Sequence, residues 1–173
     1  MLVTRDEALA RRAGMLRNYG QSVRYHHPEL GLNSRLDEIQ AAILSARLQW
    51  LMEFTQRRRE IASAYRVGIV HPDVRLLAAP EAESAHVYHL FVVCCEARDA
   101  LQAHLQAHDI QTLIHYPISI HQQSPCLEMR RDPQGLDNSE YHAAHCLSLP
   151  CHPQMSDADM AAVIAAVNAF KLP

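Results

Sequence analysis

Lysine is almost absent from this sequence of 173 residues: the chain has one, Lys171, next to its C-terminal end. Glycine is scarce as well, with 5 residues, and none is spaced as in the glycine-rich turns that bind dinucleotides or nucleotide phosphates. No apolar run approaches the roughly 20 residues that a helix needs to cross a bilayer. The sequence therefore excludes chemistry based on an interior lysine, and it predicts neither a self-contained nucleotide-binding turn nor a membrane partner.

Charge and cysteine content exclude further classes of protein. The net charge is −3 with histidine neutral, and the basic cluster at residues 57–59 spreads around a helix, so we expect no nucleic acid partner. The 5 cysteines are odd in number and form no C-x-x-C pair, which argues against a disulfide framework or a structural zinc site. The N-terminus lacks the charged-then-apolar order of a signal peptide. These features predict a protein of the reducing cytoplasm.

The first third of the chain has helical patterns. A T-x-x-E capping box at residues 4–7 predicts a helix that begins there and ends by Gly20. After a polar loop, apolar residues at helical spacing predict one long helix from Asn33 or Ser34 to residue 68, with a bend near residues 51–55. Because so much of its circumference is apolar, we expect this helix to be covered on more than one side.

From about residue 72 the pattern changes to alternating strands and helices. The predicted strands are 86–95, 111–115 and 147–149, and the predicted helices are 98–108, 138–146 and one that starts in a capping box at Ser156. The fold class is therefore predicted as α/β: a long connecting helix followed by a small α/β sandwich. The predicted domains are residues 1–71 and 72–173.

Histidines and cysteines offer weak candidates for metal binding or nucleophilic catalysis. His104 and His108 lie four apart on a predicted helix but have no third ligand in the sequence pattern. The other candidates are His142, His145, Cys146, Cys151 and His152 for a metal, and Cys126 and Cys151 for a nucleophile. Since no spacing matches an established site, we predict no metal site and no catalytic residue, and a small His/Cys metal-binding protein is kept as an alternative.

Two segments carry more specific patterns. In Gly31-Leu32-Asn33-Ser34-Arg35, Asn33 and Arg35 bracket the predicted start of the long helix, where backbone N–H groups favour an anion such as phosphate. The alternative is an ordinary Asn cap beside a surface arginine.

The second segment is H-Y-P-I-S-I-H, residues 115–121. Pro117 ends a predicted strand and places His115, Tyr116 and His121 on a loop, where polar aromatic groups are suited to face a substrate. The alternative is a tyrosine bonded locally and two solvent-exposed histidines.

Taken in order, these segments resemble the DegT/StrS-type sugar aminotransferases. These are fold-type I enzymes that depend on pyridoxal phosphate (PLP) and aminate keto-sugars attached to nucleotides. The matching stretches are MLVTRDEALARRAGMLRNYG, GLNSRLDEIQAAILSARLQWL, RRREIASAY, HVYHLFVV, RDALQAHL, HYPISIHQQ and LSLPCHPQMSDADM.

The resemblance implies a C-terminal portion of such an enzyme, truncated before the lysine that binds the cofactor. It implies that Asn33, with Arg35 beside it, reaches the PLP phosphate of a partner subunit, and that His115, Tyr116 and His121 lie near the substrate. Without the lysine we expect no bound cofactor and no transaminase activity from this chain alone, with a binding or assembly role as a homodimer or higher oligomer. The alternative is one half of a split enzyme that completes its site on a lysine-bearing partner chain.

Overall fold

The computed structural model describes residues 2–172, which form two compact units divided between Gln49 and Trp50. This division falls earlier than the predicted boundary between residues 71 and 72, because Ile61 and Tyr65 are fully buried in the core of the second unit. The domain assignment of 1–71 and 72–173 stays a prediction. In the part of the chain that the structure describes, no helix is long and apolar enough to cross a membrane.

The first unit begins with helix α1, Glu7–Leu16. The predicted start at residue 4 was wrong: Asp6 is the N-cap, and its carboxylate accepts from the backbone N–H groups of Ala8 and Leu9. The hydroxyl of Thr4 instead accepts from the N–H of Asp6, so the chain tightens one turn before the helix. A carboxylate at this position also matches the positive end of the helix dipole.

The predicted long helix ends at residue 68 as expected, but it starts later than predicted and is broken into two helices at residues 49–50, close to the predicted bend. Helix α2 spans Glu38–Leu48 and helix α3 spans Leu51–Gly68. At the junction the side-chain amide of Gln49 donates to the carbonyl of Ala46 at 2.9 Å, which ends α2 locally. No residue of α2 is buried, contrary to the expectation that this apolar helix is covered.

The second unit contains, within residues 2–172, an antiparallel sheet of three strands in the order β1–β2–β3. The strands are β1 (Arg75–Leu76), β2 (Phe91–Cys94) and β3 (Cys146–Leu149). The predicted strand at 111–115 was wrong: this segment makes one isolated backbone bridge, between Leu113 and Ser148. Strand β1 was not predicted, because a strand of two residues is too short to show an alternation of apolar and polar residues.

Helices α4 (Arg98–Ala107), α5 (Asp137–His145) and α6 (Asp157–Ala169) confirm the helical predictions of this region. The capping box at Ser156 and Asp159 is confirmed as well. Single turns of 3-10 helix lie between β1 and β2, at Glu83–Ala85, and between α4 and α5, at Ile120–Gln122 and Ser124–Cys126.

The two faces of the sheet have different neighbours. Val93 and Leu147 are paired across β2 and β3 and belong to the main core, which includes residues of α3, α4 and α6. Their sequence neighbours on the strands, among them Cys94, Cys146 and Ser148, point to the opposite face, because side chains alternate along a strand. The candidate site lies on this second face.

Helices α3 and α6 are fastened to each other by a side chain near the end of α6. Asn168 donates to the carbonyl of Gly68 at 2.7 Å and accepts from the N–H of Val70 at 2.9 Å. The hydroxyl of Tyr65 donates to the carbonyl of Pro150 at 2.8 Å. The α3 helix is therefore held by residues that come close to 100 positions later in the chain.

Candidate functional site

A groove of about 840 Å³ lies between helix α5 and the loop that precedes it. All three residues predicted to face a substrate, His115, Tyr116 and His121, line this groove. Sequence reasoning missed the other polar members of its wall, which are Ser119, Arg130, Arg131, Asp132, Asn138, Ser139 and His142. The adjacent arginines in a proline-punctuated loop were the available signal for two of them.

His115 is anchored to the sheet by Ser148. Its Nδ1 is hydrogen-bonded to the buried Ser148 hydroxyl at 2.9 Å. The backbones of Leu113 and Ser148 exchange two hydrogen bonds, which hold the chain just before His115 against β3. Because Nδ1 is occupied, Nε2 is the ring atom left to bond a ligand.

The opposite side of the groove is fixed by two contacts from the loop to α5. His121 Nε2 donates to the Glu140 carboxylate at 2.8 Å, and the Ser119 hydroxyl donates to the carbonyl of Ser139 at 2.9 Å. Tyr116 packs edge-on against the ring of His115 and is 72% exposed. The groove therefore presents an exposed phenol between two anchored imidazoles.

The remaining histidine and cysteine candidates form no metal centre. Within residues 2–172 there is no group of three or more His, Cys, Asp or Glu side chains placed to hold a metal ion. His104 bonds the carbonyl of Ala166, and His145 pairs with Glu96 at 2.9 Å. The metal-binding alternative thus has no geometric support in the described residues.

Cys151 is not suited to nucleophilic catalysis. Its thiol donates to the carbonyls of Arg58 and Tyr88, at 3.9 and 3.7 Å. Burial raises the pKa of Cys151 to about 11, against the smaller opposing effect of the Arg58 charge. At neutral pH the residue is a thiol, and the thiolate is the reactive form.

The predicted phosphate-binding pair lies in the first unit, but not at a helix N-terminus as expected. Helix α2 begins at Glu38 with Asp37 as its N-cap, whereas Asn33 forms a backbone bridge with Asn18. The reason is local: the carbonyl of Leu32 accepts from the N–H of Tyr19, which draws this segment beside the end of α1.

Asn33 and Arg35 nevertheless lie together. Arg35 Nε donates to Asn33 Oδ1 at 3.2 Å, and its Nη1 donates to Asn18 Oδ1 at 3.1 Å. The guanidinium also lies over the ring of Tyr19, 5.4 Å from its centre. An exposed amide N–H₂ beside an oriented guanidinium is a donor set that fits a phosphate group.

The lysine needed to attach a carbonyl cofactor is not provided by either unit. Lys171 follows α6, and its side chain is exposed to solvent. The chain thus fits the phosphate of a cofactor such as PLP but does not fit its covalent attachment.

Comparison with known proteins places this geometry in a family. The profile of the DegT/DnrJ/EryC1/StrS aminotransferase family matches residues 1–168. The chain is 43% identical over 169 residues to dTDP-3-amino-3,6-dideoxy-alpha-D-galactopyranose transaminase of Aneurinibacillus thermoaerophilus, with 98% of this chain and 46% of the relative covered.

Solved structures agree with this result. The chain is similar to S. venezuelae DesV, crystallised with a ketimine intermediate, with a TM-score of 0.83, 40% identity and coverage of 96% of this chain and 45% of DesV. It is similar to a DegT DnrJ EryC1 StrS aminotransferase from Brucella abortus, with a TM-score of 0.85, 31% identity and coverage of 96% and 44%. The chain spans less than half the length of these relatives.

Proposed function

The chain belongs to the DegT/DnrJ/EryC1/StrS aminotransferase family, and we propose that residues 1–173 are the substrate- and phosphate-binding part of a PLP-dependent nucleotide-sugar aminotransferase. One observation carries the proposal: the loop residues His115, Tyr116 and His121 line one groove together with residues of helix α5. On its own this part has no transaminase activity, because its sole lysine is exposed at the end of the chain.

The Asn33–Arg35 pair holds the cofactor phosphate. Arg35 occupies Asn33 Oδ1, which turns the Nδ2 donor of the amide toward an incoming anion, and the guanidinium supplies the charge. When bound, PLP supplies an electron-withdrawing ring that stabilises negative charge on the carbon being aminated. Following the family resemblance, the phosphate belongs to a partner subunit.

The groove binds the sugar nucleotide. His115, with Nδ1 fixed by Ser148, offers Nε2 to a sugar hydroxyl, and Tyr116 offers its exposed phenol. The paired charges of Arg130 and Arg131 on the same wall suit the diphosphate that links a sugar to its nucleoside. The substrate class is therefore a nucleotide-linked keto-sugar, as in the transaminase activities named for its relatives.

Assembly is part of this proposal. We infer a homodimer or higher oligomer, supported by the exposed apolar residues of α2, and a cytoplasmic location, supported by free cysteines at all five positions. The lysine comes from a further stretch of polypeptide, in the same protein or in a partner chain that completes the site in trans.

A reduction experiment tests the absence of activity in residues 1–173. The chain is mixed with stoichiometric PLP, treated with borohydride and digested for mass spectrometry. We expect no pyridoxyl-lysine above the level found in Lys171→Arg. A stable coloured complex whose label maps to Lys171 would contradict the proposal.

A complementation experiment tests the role of Asn33. The chain is mixed with a polypeptide that carries the part of a relative it does not cover, and PLP binding and amino transfer are measured. We expect PLP binding and amino transfer only when the two polypeptides are mixed. The Asn33→Ala variant is expected to bind PLP about tenfold more weakly, which corresponds to the loss of roughly one charge-assisted hydrogen bond. Gln56→Ala, an exposed amide on α3, is the matched control. Equal PLP affinity of the two variants would refute the assignment.

A further inference from the structure

Cys94 and Cys146 face each other on the second face of the sheet. The register of β2 and β3 pairs them directly. The N–H of Cys95 donates to the carbonyl of His145 at 3.0 Å, one residue beyond the end of β2 and one before the start of β3. In an antiparallel ladder such a bond flanks a non-hydrogen-bonded pair, whose Cα atoms lie about 4.5 Å apart with the side chains close together.

The other edge of β3 gives the same result. Ser148 exchanges both of its backbone hydrogen bonds with Leu113, so its polar groups point away from β2. Because the direction of these groups alternates along a strand, Cys146 also directs its N–H and C=O away from β2. The pair with Cys94 is thus of the non-hydrogen-bonded kind by two independent observations.

This placement meets the steric requirement for a disulfide. Bridged cysteines have Cα atoms about 4.4 to 6.8 Å apart, so the pair can be joined without moving the backbone. Both thiols are free and buried. Cys95 belongs to the main core on the other face, and Cys151 bonds backbone carbonyls there, so neither competes for Cys94.

One side chain, His142, stands between the groove and this pair. His142 lines the groove, and its Nδ1 lies 3.9 Å from Cys94 Sγ. For a molecule the size of water or peroxide to reach the buried thiol from the groove, this ring has to rotate. The same nitrogen is placed to accept the proton of the Cys94 thiol.

We propose that Cys94 and Cys146 are a reversible oxidation site, at which a small peroxide entering through the groove converts the two thiols into one disulfide. Cys94 gives its proton to His142, and its sulfur attacks the peroxide. The O–O bond breaks, leaving a sulfenic acid, and the released hydroxide takes the proton from His142 as water. Cys146 sulfur then attacks Cys94 sulfur, the S–O bond breaks, and the Cys146 proton leaves with that oxygen as a second water.

Neither thiol has a part in the proposed aminotransferase role, since both lie outside the groove wall and the phosphate-binding pair, and His142 is the residue that the oxidation site shares with that wall. Burial raises the pKa of both thiols, as it does that of Cys151, so the reaction accelerates as the pH rises toward the alkaline range. Cys94 differs from Cys151 in having a histidine nitrogen, rather than backbone carbonyls alone, beside its sulfur. Formation of the disulfide withdraws Cys94 Sγ from His142 and ties the start of β3 to the end of β2.

The test uses the full chain with Cys126→Ser, which removes the thiol on the groove wall. Hydrogen peroxide is applied under native conditions, remaining thiols are titrated, and non-reduced peptides are mapped by mass spectrometry. Free thiols are expected to fall from four to two, since one of the five cysteines is replaced. The linked peptides are expected to contain Cys94 and Cys146, and dithiothreitol is expected to restore all four thiols.

Two further variants identify the pair. Cys146→Ser in the same background should abolish the linkage, whereas Cys95→Ser, the equally buried neighbour, should retain it. If a variant fails to fold, the peptide map of the parent chain still identifies which cysteines are linked. Four unreacted thiols, or a linkage between any other two cysteines in the native chain, would overturn the proposal.

Discussion

Ser148 is shared by the sheet and the groove. Its backbone pairs with Leu113 across the edge of β3, and its hydroxyl bonds the ring of His115. A histidine held in this way has one tautomer favoured over the other, which decides whether its free nitrogen donates or accepts toward a ligand. The chemical character of the groove therefore depends on a residue that does not line it.

Replacing Ser148 tests this dependence. Ser148→Ala is expected to lower the free energy of unfolding by about 1 kcal/mol, because one buried hydrogen bond is lost. The ¹⁵N resonances of the His115 ring are expected to move toward a mixture of tautomers. Ser139→Ala is the control, since Ser139 contributes its carbonyl rather than its hydroxyl to Ser119. An unchanged His115 spectrum in Ser148→Ala would rule out the anchoring role.

Cys151 makes stability sensitive to alkaline pH. Its pKa rises from an ordinary 9.0 to about 11 on folding. Below pH 9 both folded and unfolded chains hold the proton, so stability does not depend on this group. Between these two values the unfolded chain ionises first, and the free energy of unfolding is expected to fall by on the order of 2 kcal/mol as the pH rises.

Urea titrations at the two ends of this pH interval measure the effect. Cys151→Ala is expected to lose less stability than the parent chain over the same interval, while Cys126→Ala controls for the removal of any one thiol. Parallel losses in the parent chain and in Cys151→Ala would show that another group dominates. Burial also raises the pKa of Tyr65, which adds a loss in the same direction at higher pH.

At the scale of elements, α6 has the clearest start signal in the chain. The Ser156 hydroxyl accepts from the N–H of Asp159 at 3.1 Å, and the Asp159 carboxylate accepts from the N–H of Ser156 at 2.8 Å. The hydrogen bond from the Ser156 hydroxyl is the largest cause of the lowered pKa of Asp159. The stabilisation that this carboxylate gives to the cap is therefore present above its ordinary pKa and is lost as the pH falls through its lowered pKa in the folded chain.

Removing the cap tests its contribution. Ser156→Ala is expected to cost about 1 kcal/mol, measured as a lower urea midpoint with an unchanged slope. Ser63→Ala makes the same chemical change at an exposed position within α3 and is expected to leave the midpoint in place or raise it slightly. If both variants unfold at one midpoint, the capping box contributes nothing measurable.

The sequence predicted elements best where the determining contacts are local. The α6 cap and the α4 stripe of Leu101 and Leu105 lie within single elements and were confirmed. Strand β1 and the bridge at Leu113 depend on partners far along the chain, so local patterns could not identify them. The start of α2 was misplaced because Asn33, a good capping residue, bonds instead with the end of α1.

The same distinction applies to the groove. His115, Tyr116 and His121 lie within one short loop, and a proline beside polar aromatics was enough to predict that they lie together; their contact with a substrate stays a prediction. His142 comes from α5, about one turn of helix before β3, and only the packing of that helix brings it to the same wall.

At the scale of the whole molecule, α2 favours association. Its apolar residues Ile39, Ile43 and Leu48 are 76%, 55% and 66% exposed, and none of the helix is buried. An apolar surface of this kind is covered by another copy or by further polypeptide in most proteins. We expect the 173-residue chain to sediment as a dimer or larger species.

Introducing a charge into the apolar surface of α2 tests whether that surface drives association. Ile43→Glu is expected to shift the sedimentation coefficient toward that of a monomer. Val67→Glu, at an apolar position of α3 that is 78% exposed, should leave association unchanged. A parent chain that already sediments as a single monomeric boundary would exclude α2 as an association surface.

The hydrogen bonds of Asn168 with Gly68 and Val70 have a consequence for folding during translation. Helix α3 is translated early in the second unit, but the groups that hold it come close to 100 residues later. Contacts of such long range form slowly, and on the ribosome they must wait until α6 has left the exit tunnel. Until then Ile61 and Tyr65 have no complete core to enter, so this part of the nascent chain is most vulnerable to aggregation and proteolysis in the interval before α6 emerges.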